Sequence, residues 1–195
     1  GYLVKFVDDD VYVIPSAATG TVGRVTRIST DGGSTFSIQD MVDFTSVGDP
    51  GDIRGVDVEG NTMYVVAHER PCVLYEADIS GTLPAPASLV FTLTGYLDCS
   101  GMAVDSDYVY TSAGGTPSDS IEDAVIRIDQ LTGVVDELFA DFLVFNLDDG
   151  GYNDLAIQDG DGDGTPDVLW VAGDSGDRRY ICTPAQPSTN FFSNE

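Results

Sequence analysis

Short apolar runs, broken every few positions by Gly, Asp, Ser or Pro, fill the chain from end to end. Within them apolar and polar residues alternate with a period nearer two than 3.6. Val, Ile, Thr, Tyr and Phe dominate, the residues that fit a pleated, half-buried surface. Residues 38–44 and 135–145 imitate a helical period, but no segment sustains one. The pattern predicts strands joined by tight turns.

Those strands recur in a fixed order. Apolar triplets with an aromatic centre stand at Val11-Tyr12-Val13, Met63-Tyr64-Val65, Val109-Tyr110-Thr111 and Leu169-Trp170-Val171, 46 to 60 residues apart. Each ends a strand–turn–strand pair: YLVKFVDDDVYVIP, IRGVDVEGNTMYVVA, SGMAVDSDYVYTSA and YNDLAIQDGDGDGTPDVLWVAG. A third strand follows in each unit (GRVTRIS, CVLYEADI, AVIRIDQ, RYICTPA), then a fourth apolar segment (FSIQDMVDF, SLVFTLTGY, VVDELFADFLVF, NFFSNE). Four antiparallel strands repeated at this interval have the form and length of a β-propeller blade, with the first strand innermost. The expected fold is therefore all-β and β-propeller-like, one domain of four blades covering about residues 1–45, 51–97, 98–146 and 150–195. Four blades either close a small ring or form the arc of a larger one, and an arc leaves strand edges that demand a partner. A sandwich or open meander also uses short strands, but neither needs the same strand order four times.

At 195 residues and 42% apolar content the chain is large enough to bury a core. Its charge is strongly one-sided: 33 acids, mostly Asp, against 8 bases give a net charge of −25. Nucleic acid and anionic membranes need clustered Lys or Arg, so both are excluded as partners, and no apolar run is long enough to span a bilayer. The acidity has two readings, solubility in salty water or binding of divalent cations. Three cysteines (Cys72, Cys99, Cys182) have neither zinc-site spacing nor the density of a disulfide scaffold. The first residue is Gly rather than Met, as in a processed protein or a piece of a longer one.

The most specific chemical signal is DGDGDGTPD at residues 159–167. Asp159, Asp161 and Asp163 occupy positions one, three and five of a calcium loop, and Gly164 takes the sharp turn at six. Thr165 offers a backbone carbonyl at seven and Asp167 closes the shell at nine, enough oxygens for Ca²⁺ with water added. An EF-hand needs Glu at position twelve between helices, whereas Trp170 stands there inside a strand, so that motif is excluded. The stretch DLAIQDGDGDGTPDVLWVAGD, residues 154–174, resembles instead the FG-GAP repeat of integrin α-subunit propellers and secreted bacterial proteins. That resemblance implies a calcium ion stapling the hairpin between the first two strands of a blade. The corresponding turns of the other units are too short to wrap an ion.

In unit one, STDGGSTF matches the Asp-box of sialidases, S-x-D-x-G-x-T-[WF], at Ser29, Asp31, Gly33, Thr35 and Phe36. The pattern implies a structural hairpin joining the two outer strands of a blade. The Asp caps backbone N–H groups, Gly allows positive φ, and the aromatic ring is expected to pack beneath the turn. Sialidase chemistry is not implied, because none of the seven arginines sits in a recognisable catalytic motif.

Placed on such blades, Cys72 begins the third strand of unit two and Cys99 the first strand of unit three, at one face between neighbours. A Cys72–Cys99 disulfide is expected there, with Cys182 a buried free thiol. His68, Glu69 and Arg70 form a structural cluster or, in the sharper alternative, a catalytic dyad. Asp148, Asp149, Asn153 and Asp154 form a plain loop or a second cation site, and residues 114–123 a surface loop open to contact. No nucleophile elbow, phosphate loop, zinc motif or dinucleotide fingerprint is present. The expected function is that of a secreted or cell-surface, calcium-stabilised propeller acting in binding, adhesion or extracellular assembly. Its ligand is a protein or glycan, or itself through blade edges. A glycan-active hydrolase or lyase with acids and aromatics converging at the axis is the alternative, and a self-polymerising structural subunit is the third.

Overall fold

The computed structural model describes residues 2–7, 10–15, 24–30, 36–67, 71–113, 124–139, 152–159, 168–173, 179–182 and 192–193. The described strands are rich in apolar, β-branched and aromatic residues, with tight turns at Gly60-Asn61 and Asp105–Asp107 between first and second strands. The first sheet contains β1 (Tyr2–Val7), β2 (Asp10–Pro15), β3 (Thr26–Thr30) and β4 (Phe36–Asp40), hydrogen-bonded in chain order. After it, β5 (Val42–Asp43) leaves the sheet. The second sheet is built from β6 (Ile53–Glu59), β7 (Thr62–Ala67), β8 (Cys72–Asp78) and β10 (Ser88–Leu93), with β9 (Ala85–Pro86) between its last two strands in sequence. The third holds β11 (Ser100–Val104), β12 (Tyr108–Ala113), β13 (Ala124–Asp129) and β14 (Val135–Phe139). The fourth holds β15 (Tyr152–Gln158), β16 (Val168–Gly173), β17 (Arg179–Cys182) and β18 (Phe192–Ser193). All four sheets are antiparallel meanders.

The expected continuous fourth segment of unit one is divided. Met41 and Val42 are buried with Phe44 between sheets 1 and 2, and that burial draws the chain inward. β5 then runs parallel to β9, pairing Val42 with Ala85 and Asp43 with Pro86, which ties the rims of the two sheets together.

Three apolar layers join the sheets in series. Tyr12 and Ile14 pack with Val56, Val65 and Tyr75 between sheets 1 and 2, where Phe44 meets Tyr75 edge-on at 5.5 Å. Val66 and Leu74 pack with Val109, Ile126 and Ile128 between sheets 2 and 3. Ala103, Tyr110 and Val125 pack with Leu155 and Leu169 between sheets 3 and 4. In β7 and β12 successive residues are buried, Met63 and Val65 toward sheet 1, Tyr64 and Val66 toward sheet 3, Val109 toward sheet 2 and Tyr110 toward sheet 4, as a pleat with a neighbour on each side requires.

The first strands line up beside one another, β6 against β1 and β11, and β11 against β15. β6, β11 and β15 also share a β-bulge at their entry, between Ile53 and Gly55, Ser100 and Met102, and Tyr152 and Asp154. There the strands crowd: a Cβ on Gly55 would lie 2.9 Å from the backbone of Gly101 and 2.8 Å from Val66. Among the described residues no ladder hydrogen-bonds sheet 4 to sheet 1, so a closed ring is not part of the described structure.

Candidate functional site

The inner strands meet on a cation. Lys5, on β1, is buried, and its Nζ donates to the carbonyls of Met102 on β11 at 2.8 Å and Leu155 on β15 at 2.7 Å. It also lies 4.0 Å from Oδ2 of Asp57 on β6, whose carboxylate accepts the Val104 N–H at 3.0 Å. One ammonium thus contacts all four sheets.

Beside it, polar side chains tie sheet 2 to sheet 3. Asp105, buried in the β11–β12 turn, accepts the backbone N–H groups of Asp107 and Tyr108, each at 2.7 Å, and the Tyr110 hydroxyl at 2.8 Å. Burial, then the hydrogen bond to that carboxylate, push the Tyr110 hydroxyl far above the ordinary phenol range. Gln130 donates to the Asp105 carbonyl at 2.7 Å and accepts from Tyr64 of sheet 2 at 2.7 Å. Arg127 lies 4.4 Å over the Tyr108 ring and pairs with Asp136 at 2.8 Å. Tyr96 donates to Glu137 at 3.0 Å; burial, then that carboxylate, push its hydroxyl up to about 12. Each of these groups has its partner inside the fold, so the cluster is cohesive rather than reactive.

At the other ends of these strands Cys72 and Cys99 form a disulfide, with Cα atoms 5.8 Å apart, bridging sheet 2 to the entry of β11. The Cys72 N–H donates to the Tyr96 carbonyl at 2.9 Å, and the preceding Asp98 takes a left-handed conformation at φ 53°. Asp tolerates that region better than most side chains.

The acidic loop falls in the β15–β16 hairpin. Gln158 pairs with Val168 at its neck, and Trp170 Nε1 donates to the Gln158 side chain at 3.1 Å. Asp159 is exposed at the start of the loop, while Asp161, Asp163, Thr165 and Asp167 lie outside the described residues. The sialidase-type turn lies in the β3–β4 hairpin, closed by the Thr30–Phe36 pair; Ser29 is on β3, and Asp31, Gly33 and Thr35 lie outside the described residues. Phe36 itself is 69% exposed. The cause is register, since Phe36 stands on the side of sheet 1 turned away from sheet 2, as does Ile38 two residues on.

His68, Glu69, Arg70, Asp148, Asp149 and residues 114–123 lie outside the described residues; Asn153 and Asp154 belong to β15, and Cys182 ends β17. A cleft of about 450 Å³, lined by Arg24, Asp40, Asp43, Phe44, Asp49 and Pro84, opens beside the β5–β9 pair. Its carboxylates already have partners: Asp40 faces Arg24 at 3.7 Å, Asp43 accepts the Thr45 N–H at 2.9 Å, and Asp49 accepts that of Gly51 at 2.9 Å. Among the described residues no group of three or more His, Cys, Asp or Glu is placed to hold a metal ion, and no helix is long and apolar enough to cross a membrane.

Four four-stranded meanders, stacked through apolar layers with their first strands side by side, define an all-β protein of propeller-like class. Solved structures of similar architecture include two that align with nearly the whole chain. The chain superposes on the β-propeller of a nidogen/laminin complex with a TM-score of 0.63 and 19% identity, over 94% of its own length and 59% of that chain. A structural-genomics protein of unknown function from Bacteroides thetaiotaomicron matches with a TM-score of 0.54 and 13% identity, over 93% of this chain and 40% of that one. The chain therefore spans well under two thirds of either neighbour, and at these identities the likeness is one of fold. No family model and no curated protein matches the chain.

Proposed function

We propose that the chain is a calcium-stabilised propeller module of the cell exterior that binds or assembles with other macromolecules rather than catalysing a reaction. The observation that carries this reading is the last inner hairpin: the Gln158–Val168 pair sets the two ends of an Asp-rich, nine-residue loop side by side. In that loop Asp159, Asp161, Asp163 and Asp167 would supply carboxylate oxygens and Thr165 its carbonyl, with Gly164 at the turn. Such hard oxygens suit Ca²⁺, and four carboxylates so close in sequence repel one another strongly without a cation. Calcium would supply cohesion to sheet 4, not chemistry. The Cys72–Cys99 disulfide supports an oxidising, extracellular setting. Likeness to a propeller crystallised in a nidogen/laminin complex supports a protein partner.

Scanning calorimetry in calcium and in chelator tests the reading. An ion at 100 times its Kd adds about 2.7 kcal/mol, so Tm is expected to rise by about 5–10 °C in calcium. Asp163→Asn is expected to remove most of that rise. Identical melting with and without calcium would overturn the calcium assignment.

A further inference from the structure

Sheet 1 has one covered face and one bare face. On the bare side the ladders set Phe6, Val11, Ile28 and Ile38 in a single row across all four strands, with Val4 and Val13 in the next. Phe6 is 72% exposed, Ile38 74% and Val4 43%. In a chain with 33 acids, the one charged residue in these two rows is Asp40, at the outer edge. The matching face of sheet 2 bears a row of the same kind, Val56, Val65 and Tyr75, buried beneath sheet 1. A broad apolar sheet face rimmed by polar residues marks a surface that something covers.

The far end of the stack carries its counterpart. In sheet 4, Ala156, Trp170, Ile181 and Phe192 share one register row. Ala156 and Trp170 alternate along their strands with Leu155 and Leu169, which are buried against sheet 3. Ala156 and Trp170 therefore belong to the side of sheet 4 turned away from sheet 3. Each sheet in the series presents this side to the next, and the next receives it on the side that sheet 1 leaves bare. The chain thus has both halves of a sheet-to-sheet contact, and its own sheet 4 leaves Phe6 and Ile38 exposed.

We propose that the bare face of sheet 1 docks onto the outer face of sheet 4 of a second copy, head to tail, continuing the stack across the molecular boundary. The contact is heterologous, because different surfaces of the two copies meet. It rests on the reading of the chain as a binding and assembly module and names the surface that does the binding. Copies carrying −25 each repel at low ionic strength, so association strengthens with salt, the opposite of an interface held by ion pairs.

Sedimentation velocity over a concentration series, at low and high sodium chloride, tests this. The wild-type chain is expected to shift from one copy to two or more, more readily in high salt. F6S/I38S is expected to weaken association about 100-fold, the scale of losing two central apolar anchors. Its Tm should match the wild type, since both side chains already face solvent. W170S, altered on the other half, should also stay monomeric, and a mixture of W170S with F6S/I38S should recover a dimer, because each copy keeps one intact half. A wild-type monomer at every concentration would overturn the proposal, as would association that survives F6S/I38S. Either result alongside a calcium-raised Tm would leave the earlier reading standing and remove only this one.

Discussion

Asp43, Asp78 and Asp129 each use one carboxylate oxygen to accept the backbone N–H and the hydroxyl of a Ser or Thr two or three residues ahead. This is turn capping, a structural use of aspartate that needs no cation. Asp43 and Asp78 cap at D-x-[ST] spacing and Asp129 at D-x-x-T, whereas net charge alone left solubility and cation binding equally open. In all three, the side-chain hydrogen bond holds the carboxyl below its usual value of 3.8. Folding therefore favours the ionised form. The stability so gained is present above pH 3.8 and is lost as the pH falls through the lowered values. Thr132→Val should flatten the dependence of Tm on pH below 4, measured by thermal melts across the acid range. Asp105 is the deeper case, because its carboxylate is buried and satisfies two N–H groups and a phenol. Asp105→Ala should cost about 2–4 kcal/mol in urea unfolding, and Tyr110→Phe distinctly less.

At the scale of strands and turns, alternation and aromatic triplets were enough to find all four sheets. They missed what depends on neighbours: nothing in IRGVDV, SGMAV or YNDLAI marks the shared entry bulge, because a bulge is set by the partner strand. The β5–β9 pair was hidden for the same reason, its two residues reading as the tail of a longer strand. Glycines record such contacts only once the fold is known. At Gly133, φ is +72° and an added Cβ would sit 2.5 Å from the Phe91 ring, so Gly133→Ala meets both backbone strain and a clash. It should destabilise by about 1–3 kcal/mol, and Gly55→Ala, against the Gly101 backbone, by at least as much. The disulfide links residues 27 apart in sequence. Opening a loop of that size with reductant should lower stability by about 3 kcal/mol, read as a drop in the denaturant midpoint.

At the scale of the whole molecule, Lys5, one of 8 bases in the chain, joins β1 to β6, β11 and β15 through one ammonium. Only assembly of the sheets reveals that role. Lys5→Met should cost about 3 kcal/mol, since it leaves two inner carbonyls and a neighbouring carboxylate without their cation. Exposure of Phe36 and Ile38 was equally invisible beforehand, as alternation says which residues share a face but not what covers it. The aspartates of the last hairpin stood out by spacing, and the ladder at Gln158–Val168 supplies the neck that spacing needs. Calcium titration calorimetry on the intact chain is the direct test of a divalent ion in this hairpin. One ion per chain is expected, abolished in D161N/D163N. A chain that binds no calcium, or a double variant that binds it as well as the wild type, would contradict it.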